Sequence, residues 1–169
     1  MPGGTSPLSC PAECLACLWD VAGKLYYRGN AYERSMRYEQ LEHTADVMVR
    51  AYGKTLEECY GNAAYALFNT MVDASTILPT EEIDILQEGH DYESLLYNFL
   101  SEFLYVHDVT RLVLCEFEVT IEGFKIKCKA KGERLDLEKH RPKTEIKAIT
   151  YHELKVDQKE PSVTVIFDI

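Results

Sequence analysis

The sequence predicts an α+β fold in which two helices pack on mainly antiparallel β-sheets. Two stretches of the chain place apolar residues three or four positions apart, which is the spacing of an amphipathic helix. Several other stretches alternate apolar and polar residues, as strands with two different faces do. After the second helical stretch only strand patterns follow, joined by turns, and these indicate antiparallel pairing.

Composition sets broad limits on function. The 169 residues, 46% of them hydrophobic, are enough to bury a core without disulfides or a structural metal. The formal net charge of -10 argues against a protein that holds nucleic acid or an anionic membrane by its own field. Since neither a membrane-spanning run nor a signal-peptide pattern is present, we expect a protein of the cytoplasm, the nucleus or both.

The chain divides into a leader, residues 1–37, and a domain, residues 38–169. The leader opens with prolines and glycines and shows no sustained periodicity, so we expect weak order there and assign it no function. Its cysteines, Cys10, Cys14 and Cys17, have a spacing reminiscent of a zinc site. A fourth Cys or His does not lie near them, which argues against zinc.

The first elements of the domain follow from local patterns. Apolar and polar residues alternate from Val47 to Tyr52, which predicts a strand that Gly53 ends. Thr55 and Glu58 form a capping-box pattern in front of a helix that we expect to run to about Val72. Its apolar stripe consists of Leu56, Cys59, Ala63, Leu67 and Met71.

A short strand and a second helix come next. Ile83 and Ile85, with acidic neighbours, predict the strand. Asp91 can cap the helix, whose broad apolar face comprises Leu95, Leu96, Phe99, Leu100, Phe103 and Leu104.

Four strand patterns complete the domain. Residues 112–121 and 124–130 predict a hairpin that turns at Glu122 and Gly123. Residues 144–156 and 162–169 predict two more strands on either side of a turn. Cys115 and Cys128 lie in the hairpin, where a reduced cysteine behaves as a small hydrophobe, and this placement suits a reducing compartment. The lysines of the hairpin, Lys125, Lys127, Lys129 and Lys131, indicate a solvated face more than an RNA-binding patch.

Polar side chains concentrate where the chain leads into its first strong strand. Glu42, His43, Thr44 and Asp46 place two carboxylates, an imidazole and a hydroxyl within five residues. These groups could ligate a divalent cation or act as acid and base. The alternative is a polar loop with no chemical role.

The last strand carries a second candidate site. Asp168 and the α-carboxylate of Ile169 would be clustered hard oxygen donors if this end of the chain is docked in a sheet. The alternative is an edge strand whose carboxylates are hydrated. Lys147 lies in an otherwise apolar, β-prone run, where it could neutralise a carboxylate, contact a phosphate or lie on a solvated face. We find no phosphate-binding glycine loop and no nucleophile motif.

These three segments resemble the motifs of the archease family. The segment from Glu42 to Asp46 is similar to the D-H-T-A-D motif of that family, Lys147 to Tyr151 to its K-A-I-T-Y strand, and Asp168 with Ile169 to its terminal D-I. The motifs occur in the family's order over about residues 38–169, and the leader is not covered.

The resemblance implies a protein cofactor of the tRNA-splicing RNA ligase, which uses GTP. The cofactor would promote guanylylation and multiple turnover of the ligase, and RNA would be bound by the ligase and its complex. Asp46, Asp168 and Ile169 match metal ligands of the family, for an ion that we expect to be Ca²⁺, Mg²⁺ or Mn²⁺. Lys147 matches a lysine that activates the ligase.

One departure from the family pattern is Glu42, which stands where the family has Asp and places its carboxylate one methylene further from the backbone. We therefore treat Glu42 and His43 as supporting residues and Asp46 as the principal ligand. Two alternatives stay open. One is a metal-dependent phosphoester hydrolase that uses the same carboxylates, and the other is a chaperone-like interaction module without metal chemistry.

Overall fold

The computed structural model of the chain describes residues 17–19, 25–27, 36–41 and 46–169. The chain forms two compact units, residues 1–35 and residues 36–169. In the first unit, strand β1 (Cys17–Trp19) pairs antiparallel with strand β2 (Leu25–Tyr27), an element that the sequence analysis did not predict.

Four antiparallel strands form the larger sheet of the second unit. They are β3 (Tyr38–Leu41), β4 (Val47–Tyr52), β8 (Ala148–Asp157) and β9 (Ser162–Asp168), in the order β3-β4-β9-β8. The alternating apolar residues of β4 and β9 face the core, because their side chains are buried. The last strand of the chain therefore has a neighbour on each side, which ties down its end.

Three antiparallel strands form the smaller sheet. They are β5 (Glu81–Glu88), β6 (Leu112–Glu122) and β7 (Lys125–Arg134), in the order β5-β7-β6. The predicted hairpin is confirmed, and Gly123 takes the left-handed backbone (φ 61°) that its two-residue turn requires. Strand β5 extends over eight residues, so the prediction of a short strand was wrong. Its acidic residues extend the pairing because they lie beside lysines of β7.

Both predicted helices are present and begin at the predicted caps. Helix α1 (Leu56–Met71) begins after Thr55, whose hydroxyl accepts a hydrogen bond from the main-chain nitrogen of Glu58 at 3.3 Å. Helix α2 (Tyr92–Thr110) begins after Asp91, which forms a capping box with Ser94. None of the helices within the described ranges is long and apolar enough to cross a membrane.

The core lies between the helices and the two sheets. Helix α1 packs on β4 and β6, and α2 packs on β8 and β5, so that each helix contacts both sheets. Phe103 packs edge-on against three aromatic rings, with ring centroids 4.8 to 6.0 Å apart, and these belong to Phe68, Phe99 and Phe117. The α+β fold that the sequence predicts, with two helices packed on antiparallel sheets, is therefore confirmed.

The strand that follows the long loop differs from its prediction. The sequence analysis places it over residues 144–156, but β8 begins only at Ala148. Residues 144–147 continue the loop, because Lys143 is anchored to α1 through a hydrogen bond from its main-chain nitrogen to the carbonyl oxygen of Met71 at 2.8 Å. The pairing of β8 with β9 is also interrupted between Thr150 and Lys155.

Candidate functional site at one corner of the larger sheet

Three segments far apart in the sequence meet at one corner of the four-stranded sheet. The ladder between β4 and β9 begins at Val47 opposite Phe167, and the ladder between β8 and β9 places Ile149 opposite the same residue. Phe167 is fully buried and anchors the corner in the core. The ends of all three strands are thereby brought to one place.

The two aspartates of the predicted site lie next to the last pair of this ladder. Asp46 directly precedes Val47, and Asp168 directly follows Phe167, the residue opposite Val47. Because the two strands run antiparallel, both aspartates come to the same end of the sheet. Asp168 is exposed and Asp46 is half-buried, so both carboxylates border solvent.

Lys147 is held to the end of β9 at two points. Its main-chain N–H donates to the carbonyl oxygen of Asp168 at 2.8 Å, and its Nζ donates to the main-chain oxygen of Ile169 at 2.9 Å. The side chain is exposed. The structure therefore brings an ammonium group to the same corner as the two carboxylates, which sequence spacing alone does not indicate.

The oxygen atoms at this corner are of the kind that a hard divalent cation prefers. They are the carboxylates of Asp46 and Asp168 and the main-chain oxygen of Ile169. Within the ranges that the structure describes, no group of three or more His, Cys, Asp or Glu side chains could hold a metal ion. The predicted supporting residues Glu42 and His43 lie outside the described residues.

A buried hydrogen-bond cluster fixes the loop that leads to Lys147. Glu133, at the end of β7, accepts hydrogen bonds at its Oε1 from Lys139 Nζ at 2.6 Å, from the Leu78 main-chain nitrogen at 2.6 Å and from His140 Nε2 at 3.1 Å. Burial opposes ionisation of Glu133, but these three donors outweigh it and lower its pKa to about 2.

His140 is the buried centre of this cluster, with no exposed side-chain surface. Its Nδ1 accepts a hydrogen bond from the main-chain N–H of Asp136 at 2.8 Å, so the proton resides on Nε2, which donates to Glu133. Both ring nitrogens are thereby used, and the ring acts as a structural brace. The sequence analysis missed this cluster because its members are separated by ordinary loop residues.

The basic row of the hairpin is neutralised by its neighbours. Lys125, Lys127, Lys129 and Lys131 lie on the central strand β7, between one residue of β5 and one of β6. The cross-strand triplets are Glu82-Lys131-Glu116, Asp84-Lys129-Glu118, Leu86-Lys127-Thr120 and Glu88-Lys125-Glu122. Six carboxylates therefore flank Lys125, Lys129 and Lys131, while Lys127 lies between Leu86 and Thr120. This arrangement favours a solvated face over an RNA-binding patch.

The cysteines of the domain are unreactive thiols. Cys59, Cys115 and Cys128 are free. Burial, more than the nearby carboxylates, raises the pKa of Cys59 and of Cys128 to about 12. Neither residue supplies a nucleophile at neutral pH.

Comparisons with known proteins all point to one family. The family model described as Archease protein family (MTH1598/TM1083) matches residues 38–169. Protein archease of Pyrococcus abyssi is 50% identical over 126 residues, which are 72% of this chain and 89% of that protein. Protein archease of Methanosarcina mazei is 42% identical over 127 residues, which are 72% of this chain and 87% of that protein.

A solved structure shows the same fold. The solution structure of Methanobacterium thermoautotrophicum protein 1598 matches with a TM-score of 0.69 and 34% sequence identity. The match covers 79% of this chain and 99% of that chain. The two chains therefore share one fold over most of their lengths.

Proposed function

The chain belongs to the archease family, and on that premise we propose that it is a protein cofactor of the tRNA-splicing RNA ligase. It promotes guanylylation and multiple turnover of the ligase, which joins 3′-phosphate and 5′-hydroxyl RNA ends. The proposal rests on the sheet corner. There the pairing of β4 and β8 with β9 brings the segments that contain Asp46, Lys147 and Asp168 close together. Polar groups concentrate at this corner.

The negative charge of the chain supports a role in which the ligase, and not this chain, binds the RNA. The net charge of -10 repels a phosphate backbone. Three of the four lysines of β7 that form a basic row in the sequence, Lys125, Lys129 and Lys131, lie between carboxylates on both sides. In the proposal the ligase and its complex bind both RNA and GTP, and this chain acts on the ligase.

A divalent cation is part of the proposal. The carboxylates of Asp46 and Asp168 and the main-chain oxygen of Ile169 would hold Ca²⁺, Mg²⁺ or Mn²⁺, with water or the supporting residues Glu42 and His43 as further ligands. When bound, the ion would supply positive charge that helps to orient phosphate groups. The donor chemistry fits this role because the three principal donors, from Asp46, Asp168 and Ile169, are oxygen atoms.

Lys147 supplies a second positive charge at the corner. Its main-chain hydrogen bond to Asp168 fixes the start of the side chain, while the exposed ammonium end can leave Ile169 and reach a phosphate of the nucleotide on the ligase. Neutralising phosphate charge at that point would favour guanylylation. Asp46 and Asp168 would orient the ammonium group through their negative charge.

The test is multiple-turnover ligation by a purified ligase of this class, with GTP and Mn²⁺, with and without the protein. We expect stimulation by the wild type and a loss of about tenfold or more in stimulation for Asp46→Asn and Lys147→Met. Asp108→Asn and Lys127→Met are matched controls, since both residues are exposed and lie elsewhere. They should stimulate as the wild type does.

Two results would contradict the proposal. If the wild type does not stimulate ligation but releases phosphate from phosphoesters with Mn²⁺, the hydrolase alternative is correct. If Asp46→Asn and Lys147→Met stimulate fully, the corner has no part in the activity, and a chaperone-like interaction module becomes the better description.

A further inference from the structure

The interruption in β8 is larger than an ordinary bulge. Thr150 lies opposite Ile166 and Lys155 lies opposite Thr164, so residues 151–154 stand against the single residue Val165. A common β-bulge has one extra residue, whereas this segment has three. We call residues 151–154 the β8 bulge. It lies on a strand at the edge of its sheet, where a partner can approach.

The backbone of the β8 bulge is strained. Glu153 has φ 55°, in the left-handed region that disfavours residues with a side chain. The main-chain N–H of His152 is satisfied locally by the hydroxyl of Thr150 at 3.0 Å, and not by the ladder. Strained, non-glycine backbone of this kind occurs preferentially at functional positions.

The β8 bulge presents an aromatic surface. The ring of Tyr151 leaves the sheet and stacks on Tyr97 of α2, with centroids 4.1 Å apart and planes 20° apart. Tyr151 nevertheless keeps 52% of its surface exposed. A rigid tyrosine that is packed on one face and open on the other is typical of residues that anchor protein interfaces.

Carboxylates surround the aromatic pair. Burial, the neighbouring Tyr97 and the negative charge of Asp91 together raise the pKa of Tyr151, which places Asp91 within electrostatic reach. Glu93 accepts a hydrogen bond from the main-chain nitrogen of Val156 at 3.3 Å, and Glu153, two residues after Tyr151, is exposed with its carboxylate 3.9 Å from His152 Nε2. The surface is an aromatic patch with an acidic rim.

We propose that the β8 bulge and Tyr97 form the docking surface for the ligase, a proposal that rests on the proposed function. Two features favour this occupant. A ligase that binds RNA carries a basic surface, which complements the acidic rim. Tyr151 also lies four residues after Lys147, which is at most about 13 Å along an extended chain, so a ligase docked here would be within reach of the corner.

The test is the affinity of the immobilised ligase for this protein, measured by biolayer interferometry together with the ligation assay. We expect Tyr151→Ala to raise the Kd by about tenfold or more. Glu153→Lys should also raise the Kd, and this effect should decrease at high salt. Tyr105→Ala and Glu138→Lys are controls on other exposed surfaces and should leave the Kd within about twofold of the wild-type value.

The outcomes separate this proposal from the proposed function. Unchanged affinity of Tyr151→Ala and Glu153→Lys, beside a wild type that stimulates ligation, overturns the docking surface alone. A wild type that neither binds nor stimulates the ligase overturns both proposals. If Tyr151→Ala does not fold, Glu153→Lys decides, because its side chain is exposed. Loss of GTP or RNA affinity without a change in ligase affinity would show a nucleotide-binding surface and also overturn the proposal.

Discussion

We predict that Glu133→Gln destabilises the protein at neutral pH but not at low pH. The Oε1 atom of Glu133 accepts three hydrogen bonds, and the side chain is only 17% exposed. Glutamine keeps an oxygen acceptor at this position but removes the negative charge. The substitution therefore measures the effect of the charge on the loop between Glu133 and Lys147.

The expected magnitude follows from the three donors. A hydrogen bond to a charged group contributes about 1.5 to 3 kcal/mol, against about 0.5 to 1.5 kcal/mol for a neutral one. The stabilisation from the Lys139–Glu133 ion pair is reduced because the Lys139 side chain is 36% exposed, and exposed ion pairs contribute about 0 to 1 kcal/mol. We expect the free energy of unfolding to fall by about 2 kcal/mol at neutral pH.

The pH dependence follows from the pKa of Glu133. Burial raises this pKa, but the three donors lower it further, from 4.5 to about 2 in the folded protein. The unfolded chain binds the proton more readily, so the charge stabilises the fold fully above the ordinary pKa. This contribution is lost as the pH falls through about 2. The two proteins should therefore approach equal stability near that pH.

The assay is urea unfolding followed by far-ultraviolet circular dichroism, for the wild type and Glu133→Gln across this pH range. Glu138→Gln is the matched control, because Glu138 is exposed in the same loop, and it should cost less than about 0.5 kcal/mol. A stability difference that is the same at every pH would refute the role of the charge. Equal stability at neutral pH would refute the whole argument.

Four further substitutions test packing, turn geometry and helix capping. Gly132→Ala should cost about 3 kcal/mol or more in urea unfolding, because a Cβ would lie 1.9 Å from the main-chain oxygen of Val113. Gly123→Ala, with open space around it, should cost only about 1 kcal/mol for its positive φ, and equal costs would contradict the clash. Asp91→Ala should remove the cap of α2 and lower the unfolding free energy by about 1 kcal/mol in urea unfolding. Asp91→Asn keeps a side-chain acceptor and should be close to the wild type, and an equal loss for both variants would contradict the capping role. Phe103→Ala should cost about 3 to 5 kcal/mol in calorimetry, and a loss under 1 kcal/mol would show that this ring does not carry core packing.

Local patterns in the sequence were enough to predict most elements. The caps at Thr55 and Asp91, the stripes of both helices and the hairpin at Gly123 are interactions between residues a few positions apart, so they can be read without knowing the fold. Motif resemblance predicted the family and named Asp46, Lys147 and Asp168. Alternation along a strand indicates which face is buried, and this was confirmed for β4. In β9, Thr164 and Ile166 are buried as well, so the alternation did not predict that both faces of this strand are covered.

Tertiary structure alone decided how these pieces meet. Asp46 and Asp168 lie together because β4 and β9 pair in one register, over a separation of more than one hundred residues that no local pattern encodes. The sequence analysis predicted an uninterrupted strand where the β8 bulge lies, and it did not predict the Glu133–His140 cluster. Register, bulges and loop contacts depend on the packing of distant surfaces. The sequence by itself therefore determined the elements and the chemical groups, while the fold determined their neighbours.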